Sequence, residues 1–318
     1  MKAQAQNTPL VSIPLITYNS SATVIETLDS VYKQTYPNLE LIISDDCSTD
    51  NTIEICSEWI AQHAERFVRT VIINTEKNSG PTVNSDLSIR ACNGEWVKIL
   101  AGDDLLADDC VSEFMKYVQS HHDCQICVCD LELFSTDVDI SKEHYERYRH
   151  YTELAMGDLD SQQKEILKFS FLPGPAWFFS QKLFEEMGGY DISGKYPGEE
   201  WTFATKVLFN NYRFHVVDEK LVKYRVSLSS ISHQEQSREK AEWCFYNDKR
   251  FFEDVQLSKM LQKRMFITAY TRWCKYKKED ALYRYEYKGR HRLYICAKIL
   301  YSILDFPSYK RFIKKFIF

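Results

Sequence analysis

The sequence predicts an α/β fold, a mostly parallel sheet flanked by helices, on three observations. Short apolar runs alternate with amphipathic helical stretches over the first third of the chain. Polar and acidic turns follow those runs at their carboxyl ends. Beyond residue 235 the strand pattern gives way to a helix-like stretch rich in Tyr, Phe, Arg and Lys. The expected organisation is therefore a body, 1–235, and a C-terminal helical extension, 236–318.

The elements follow in order. LVSIPLIT (10–17) reads as a buried strand, and SATVIETLDSVYKQ as a helix with Val24, Leu28 and Val31 on one face and Ser21 as its N-cap. LELIIS (39–44) is a second strand. The helix STDNTIEICSEWIAQH carries Ile53, Cys56, Trp59, Ile60 and His63 along one stripe. FVRTVIIN (67–74) is a third strand, TVNSDLSIRACNG contains another helix, and WVKIL (96–100) is a fourth strand. Strands that alternate with helices pair in parallel through right-handed crossovers, and such sheets bind ligands at their carboxyl edge. TYNSS, SDDCSTD and GDDLL follow strands one, two and four, so one rim collects Thr17, Tyr18, Asp45, Asp46, Asp103 and Asp104.

Composition bounds the partners. The chain has 318 residues, 44% of them apolar, enough for a substantial core, and a net charge of −5. That balance argues against a nucleic-acid binder. Residues 236–318 hold 20 Lys/Arg against 9 Asp/Glu, a local excess of +11 on an otherwise acidic protein, so the extension is expected to have its own partner. The 10 cysteines show no framework spacing, and MKAQAQNTPL lacks the apolar segment of a secretory leader. Reduced thiols and a cytoplasmic location are expected. CQICVC, with His121 and His122 nearby, allows a zinc site, but Cys127 and Cys129 also fit one face of a strand. No apolar run approaches the ~20 residues of a bilayer span.

Asp103 and Asp104 place two carboxylates side by side at a strand end. An isolated Asp-Asp also suits a helix cap, but the missing motifs give the pair another use. The first turn, TYNSSATV, has no glycine, so neither a G-x-G-x-x-G nor a Walker loop is present to cradle phosphates. A divalent cation on carboxylate oxygens, Mg²⁺ or Mn²⁺, is the remaining device for a bound diphosphate.

Four stretches in order resemble family 2 glycosyltransferases of the GT-A fold: VSIPLITYN, LELIISDDCSTDNT, KNSGPTVNSDLSIRACNGEWVKILAGDD and GGYDISGKYPGEEWTFATKVL. The resemblance is to bacterial polysaccharide-biosynthesis enzymes. It implies inverting transfer from a nucleotide-sugar, a UDP-sugar if Asp46 accepts a uracil N–H, to a saccharide acceptor. It places Thr17, Tyr18, Asp46 and Asp103 on the nucleotide-sugar, Asp104 on the metal, and Glu200 where the family usually carries its catalytic aspartate. Glu199 precedes it. Two departures accompany the match: Ser227 stands in YRVS where the family often has His, with His233 six residues on, and the arginine the family often carries after the base corresponds to Lys206 or to nothing. A sugar-phosphate nucleotidyltransferase and a non-catalytic nucleotide-sugar-binding module are the rival readings of the same fold.

The chain ends in SYKRFIKKFIF. Tyr309, Phe312, Ile313, Phe316 and Ile317 share one helical face, and Lys310, Arg311, Lys314 and Lys315 take the other. Such a segment suits an anionic inner-leaflet membrane surface or docking on the body. With membrane contact, the acceptor is expected to be lipid-linked, such as a polyprenyl-diphosphate saccharide.

Overall fold

A computed structural model describes residues 8–196, 198–227 and 238–286. The chain divides into two compact units, Met1–Gly194 with Gly198–Gln234, and Lys195–Pro197 with Glu235–Phe318.

The first unit is the α/β body. Its strands and helices run β1 (Val11–Thr17), α1 (Val24–Tyr32), β2 (Leu39–Asp45), α2 (Thr52–His63), β3 (Arg69–Asn74), α3 (Pro81–Arg90), β4 (Trp96–Val97), β5 (Leu100–Ala101), β6 (Leu105–Leu106) and α4 (Cys110–Ser120). They continue as β7 (Ile126–Phe134), α5 (Lys142–Ala155), α6 (Leu159–Ile166), β8 (Trp177–Ser180), α7 (Gln181–Glu186), α8 (Glu199–Phe209) and β9 (His215–Arg225). The sheet order is β3-β2-β1-β4-β8-β7-β9-β6, with β5 also on β1. Pairing is parallel from β3 through β4 and between β7 and β9, and antiparallel where β8 and β6 join. β1 and β2 are buried almost throughout, which is why they read as apolar runs rather than alternating ones. The edge strand β3 is only half-buried.

Three local expectations change. α1 begins at Val24, with Thr23 at the cap position, and the Ser21 amide instead donates to Asp50 Oδ2. Phe67 and Val68 lie outside β3. The fourth strand is interrupted at residues 98–99, although β4 and β5 keep one register on β1. The gap falls opposite Pro14. The Ser12 and Ile16 carbonyls on that side of β1 accept from Lys98 and Gly102, but Pro14 has no N–H to continue the ladder.

The core packs the sheet against the helices and includes Trp177, Phe179, Phe184, Phe203 and Phe214. Trp177 is wholly buried, with Phe203 and Phe214 about it, so it packs the core and offers no face to a sugar. Cys127 and Cys129 are buried in β7, and burial pushes their thiols up. Among the described residues no three His, Cys, Asp or Glu side chains gather in a metal-holding group, and no helix is long and apolar enough to cross a membrane.

The second unit consists of α9 (Arg238–Phe251), a π-helical turn (Phe252–Gln256), α10 (Leu257–Gln262) and α11 (Phe266–Glu286). Phe252 and Tyr276 pack 5.2 Å apart, with the Arg272 guanidinium over Phe252. His233 and the basic segment 308–318 lie outside the described residues.

Candidate active site

The carboxyl ends of β1, β2 and β5 form one rim. Gly102, after β5, donates to the Ile16 carbonyl at 2.9 Å, and Asp46, after β2, donates to the Thr17 carbonyl at 2.9 Å. A Cβ on Gly102 would lie 2.9 Å from both the Thr17 methyl and the Ser20 hydroxyl, so only glycine allows this close approach.

The two aspartates after β2 hold loops. Asp45 accepts from Thr17 Oγ1 (2.7 Å), the Ser48 amide (2.7 Å) and Ser48 Oγ (2.6 Å). Asp46 accepts from the Ser79 amide (2.8 Å), the Gly80 amide (2.7 Å) and Thr75 Oγ1 (3.2 Å). A carboxylate has about four acceptor positions, so Asp46 keeps one on Oδ2, although the residue is only 2% exposed. Tyr18, at the lip of β1, is 46% exposed. Its neighbour Asn19 sits at φ 52° and Cys47 at φ 63°. The two turns are tied by the Asn19 amide donating to Ser48 Oγ and the Thr49 amide donating to Asn19 Oδ1.

Asp103 and Asp104 lie in the bend between β5, on one half of the sheet, and β6, on the other. The end of β9 fastens this bend. The Arg225 amide donates to Asp104 Oδ1 (2.9 Å), Arg225 Nε donates to the Asp103 carbonyl (2.8 Å), and its guanidinium pairs with Glu26 and lies over Phe134. Asp103 is half-buried, whereas Asp104 is 1% exposed and its Oδ2 has no hydrogen-bond partner. Burial raises both carboxyls, and Asp103 pushes Asp104 further, against the pull of Arg225 and Lys98. This pair fits a divalent cation: a buried oxygen lacks a partner, and added positive charge would offset burial and repulsion. Among the described residues no third protein ligand gathers there, and Mg²⁺-type sites commonly complete their coordination with phosphate and water oxygens.

Glu199 and Glu200 open α8, where the helix dipole favours negative charge. Glu199 accepts from Thr82 Oγ1 at 2.6 Å, which ties α8 to the start of α3. Glu200 Oε1 accepts from the Gly174 amide at 2.7 Å. Burial, aided by the Glu199 charge and opposed by that amide, pushes the Glu200 carboxyl up to about 7. The Tyr224 hydroxyl of β9 is raised by burial first, and the charges of Tyr148, Asp104 and Glu200 add to it, so Asp104 and Glu200 both lie within electrostatic reach of one side chain.

Sequence reading did not assign Arg225, Lys98 or Gly174. YRVS exposed Arg225 as a motif member, but its grip on the Asp103–Asp104 bend joins residues 122 apart. Gly174 meets Glu200 across 26 residues, a contact that no local pattern announces.

The profile of the family described as glycosyl transferase family 2 matches residues 12–188. The chain belongs to that family. The putative teichuronic acid biosynthesis glycosyltransferase TuaG of Bacillus subtilis is 24% identical over 240 residues, 76% of this chain and 88% of TuaG. S. aureus TarS 1–349 in complex with UDP-GlcNAc superposes with a TM-score of 0.57 at 16% identity, covering 94% of this chain and 93% of that one. The mannosyltransferase PcManGT of Pyrobaculum calidifontis, in complex with GDP-Man and Mn²⁺, superposes at 0.54 and 16% identity, covering 95% and 88%. These structural likenesses establish the GT-A fold.

Proposed function

We propose that the protein is a metal-dependent, inverting glycosyltransferase that moves a sugar from a UDP-sugar to a saccharide acceptor in bacterial surface-polysaccharide synthesis. The carrying observation is Glu200: a half-buried carboxyl held by the Gly174 amide and pushed by burial up to about 7, in the same unit as Asp104 and acting with it on the charge of Tyr224. A carboxylate so poised suits general-base work. Glu200 takes the proton of the acceptor hydroxyl as that oxygen attacks the anomeric carbon. The bond to the diphosphate breaks on the opposite face, so the anomeric configuration inverts.

Tyr18 stacks on the base, and Asp46 accepts the uracil N–H through its remaining acceptor position. Thr17 sets the β1–β2 rim through Asp45, and Asp103 faces ribose or donor sugar. Asp104, with Asp103 beside it, would hold Mn²⁺ or Mg²⁺. When bound, that ion supplies charge stabilisation to the departing diphosphate. The UDP-GlcNAc complex of TarS supports this donor, the Mn²⁺ complex of PcManGT supports the metal, and the likeness to TuaG, a putative teichuronic acid biosynthesis enzyme, supports a polysaccharide product. A lipid-linked acceptor, placement at the cytoplasmic face of the membrane, and a body-plus-extension division at 235 rest on the sequence pattern of the basic extension.

The test is a screen of UDP- and GDP-sugars with Mn²⁺ or Mg²⁺ for donor hydrolysis and thermal stabilisation, followed by Glu200→Gln. The reading expects metal-dependent turnover with one sugar nucleotide and its loss in the variant. Indifference to every donor with either ion refutes it.

A further inference from the structure

Lys98 is fully buried at the interruption between β4 and β5. Burying an ammonium costs several kcal/mol unless it is well paired, and an apolar residue would fill this strand position without that cost. The ammonium donates to two backbone carbonyls, Ile99 at 2.9 Å and Pro175 at 2.6 Å. Pro175 belongs to the short turn Gly174–Ala176, which precedes β8. With prolines at 173 and 175, this turn lacks two amides that would otherwise tie it down. The preceding residue, Gly174, donates the amide that holds Glu200, and a Cβ there would lie 2.5 Å from Glu200 Oε1. Asp104, Cys110, Cys127 and Cys129 lie close enough to act on the Lys98 charge, while burial opposes that charge. One buried cation thus stands between the Asp103–Asp104 bend and the turn that holds Glu200.

We propose that Lys98 is a positioning residue for the Glu200 carboxylate, acting through the backbone of the Gly174–Ala176 turn. The proposal rests on Glu200 being the base. Without the Lys98 anchor the turn drifts, the Gly174 amide loses its aim, and Glu200 leaves the line of attack. Misplacement of a reacting group by about 1 Å costs up to about 10²-fold in rate.

The experiment compares full-length wild type, Lys98→Met, Lys98→Gln and Glu200→Gln. Met and Gln have equal chain length, but only Gln keeps a donor. Lys98→Met should lower kcat about 10–100-fold with donor KM changed less than about 3-fold, Lys98→Gln should lose less, and the Gly174 amide should exchange faster with solvent in Lys98→Met. If Lys98→Met fails to fold, the comparison passes to Lys98→Gln and wild type, read by kcat and by Gly174 exchange; equality in both overturns the proposal. An unchanged kcat in Lys98→Met, or a lost kcat with Gly174 exchange unaltered, also overturns it. Those failures leave Glu200 as base, provided Glu200→Gln is inactive. A wild type without transferase activity, or an active Glu200→Gln, overturns the parent reading and this one with it.

Discussion

At the residue scale, the proposed base is Glu200, held by the Gly174 amide. A base must be unprotonated, and the Glu200 carboxyl is pushed up to about 7 by burial and by Glu199. We therefore expect kcat to rise roughly tenfold per pH unit below about 7 and level off above it, measured as a kcat–pH profile; a flat profile down to pH 5 excludes Glu200 as the base. Glu200→Gln should lower kcat by about 10²–10⁴ while donor binding persists. Gly174→Ala drives a methyl to 2.5 Å from Glu200 Oε1 and should reduce kcat by about 10² through misplacement alone. Glu200 was legible because GEEW stands in a recognisable place in the chain. Its partner was not, since the Gly174 contact spans 26 residues and depends on how the turn before β8 folds back.

At the scale of elements, the end of β9 and the approach to β4 make close long-range contacts. Arg225→Ala frees the Asp103 carbonyl and the Glu26 carboxylate and should cost about 1–3 kcal/mol in urea unfolding. It should also weaken the stabilisation that a sugar nucleotide confers, because the bend is no longer fastened. Gly94→Ala sets a methyl 2.4 Å from Ser12 Oγ and 2.7 Å from the Ser12 amide. Backbone cannot yield there cheaply, so a loss of about 1–3 kcal/mol is expected, read as a lower denaturant midpoint with an unchanged slope. The periodicity of the first third was enough to find β1, β2 and the helices that follow them. It missed the break at residues 98–99, because periodicity reports the exposed and buried faces of one segment. The break arises from Pro14 on the neighbouring strand.

At the scale of the molecule, the prediction concerns metal and nucleotide together. EDTA should abolish transfer and Mn²⁺ restore it. UDP at 100 times its Kd, with Mn²⁺ present, should add about 2.7 kcal/mol of stability, a rise of roughly 4 °C in Tm, and UDP with EDTA much less. An equal shift with and without the ion removes the metal from the account. Deleting 308–318 should abolish sedimentation with anionic liposomes while leaving transfer to a soluble acceptor intact; unchanged sedimentation removes the membrane role from those four basic residues.

The sequence by itself determined which residues reach the working edge. In a parallel sheet every strand runs the same way, so chain order alone assigns the turns after β1, β2 and β5 to one side. Tertiary structure decided what each residue is free to do there. Asp45 is spent on Thr17 and Ser48, Asp104 is buried beneath a half-buried Asp103, and a lysine within an apolar run became an anchor for a turn 77 residues away. Those outcomes depend on which atoms of distant segments meet, and on the cost of leaving a buried charge or carbonyl without a partner.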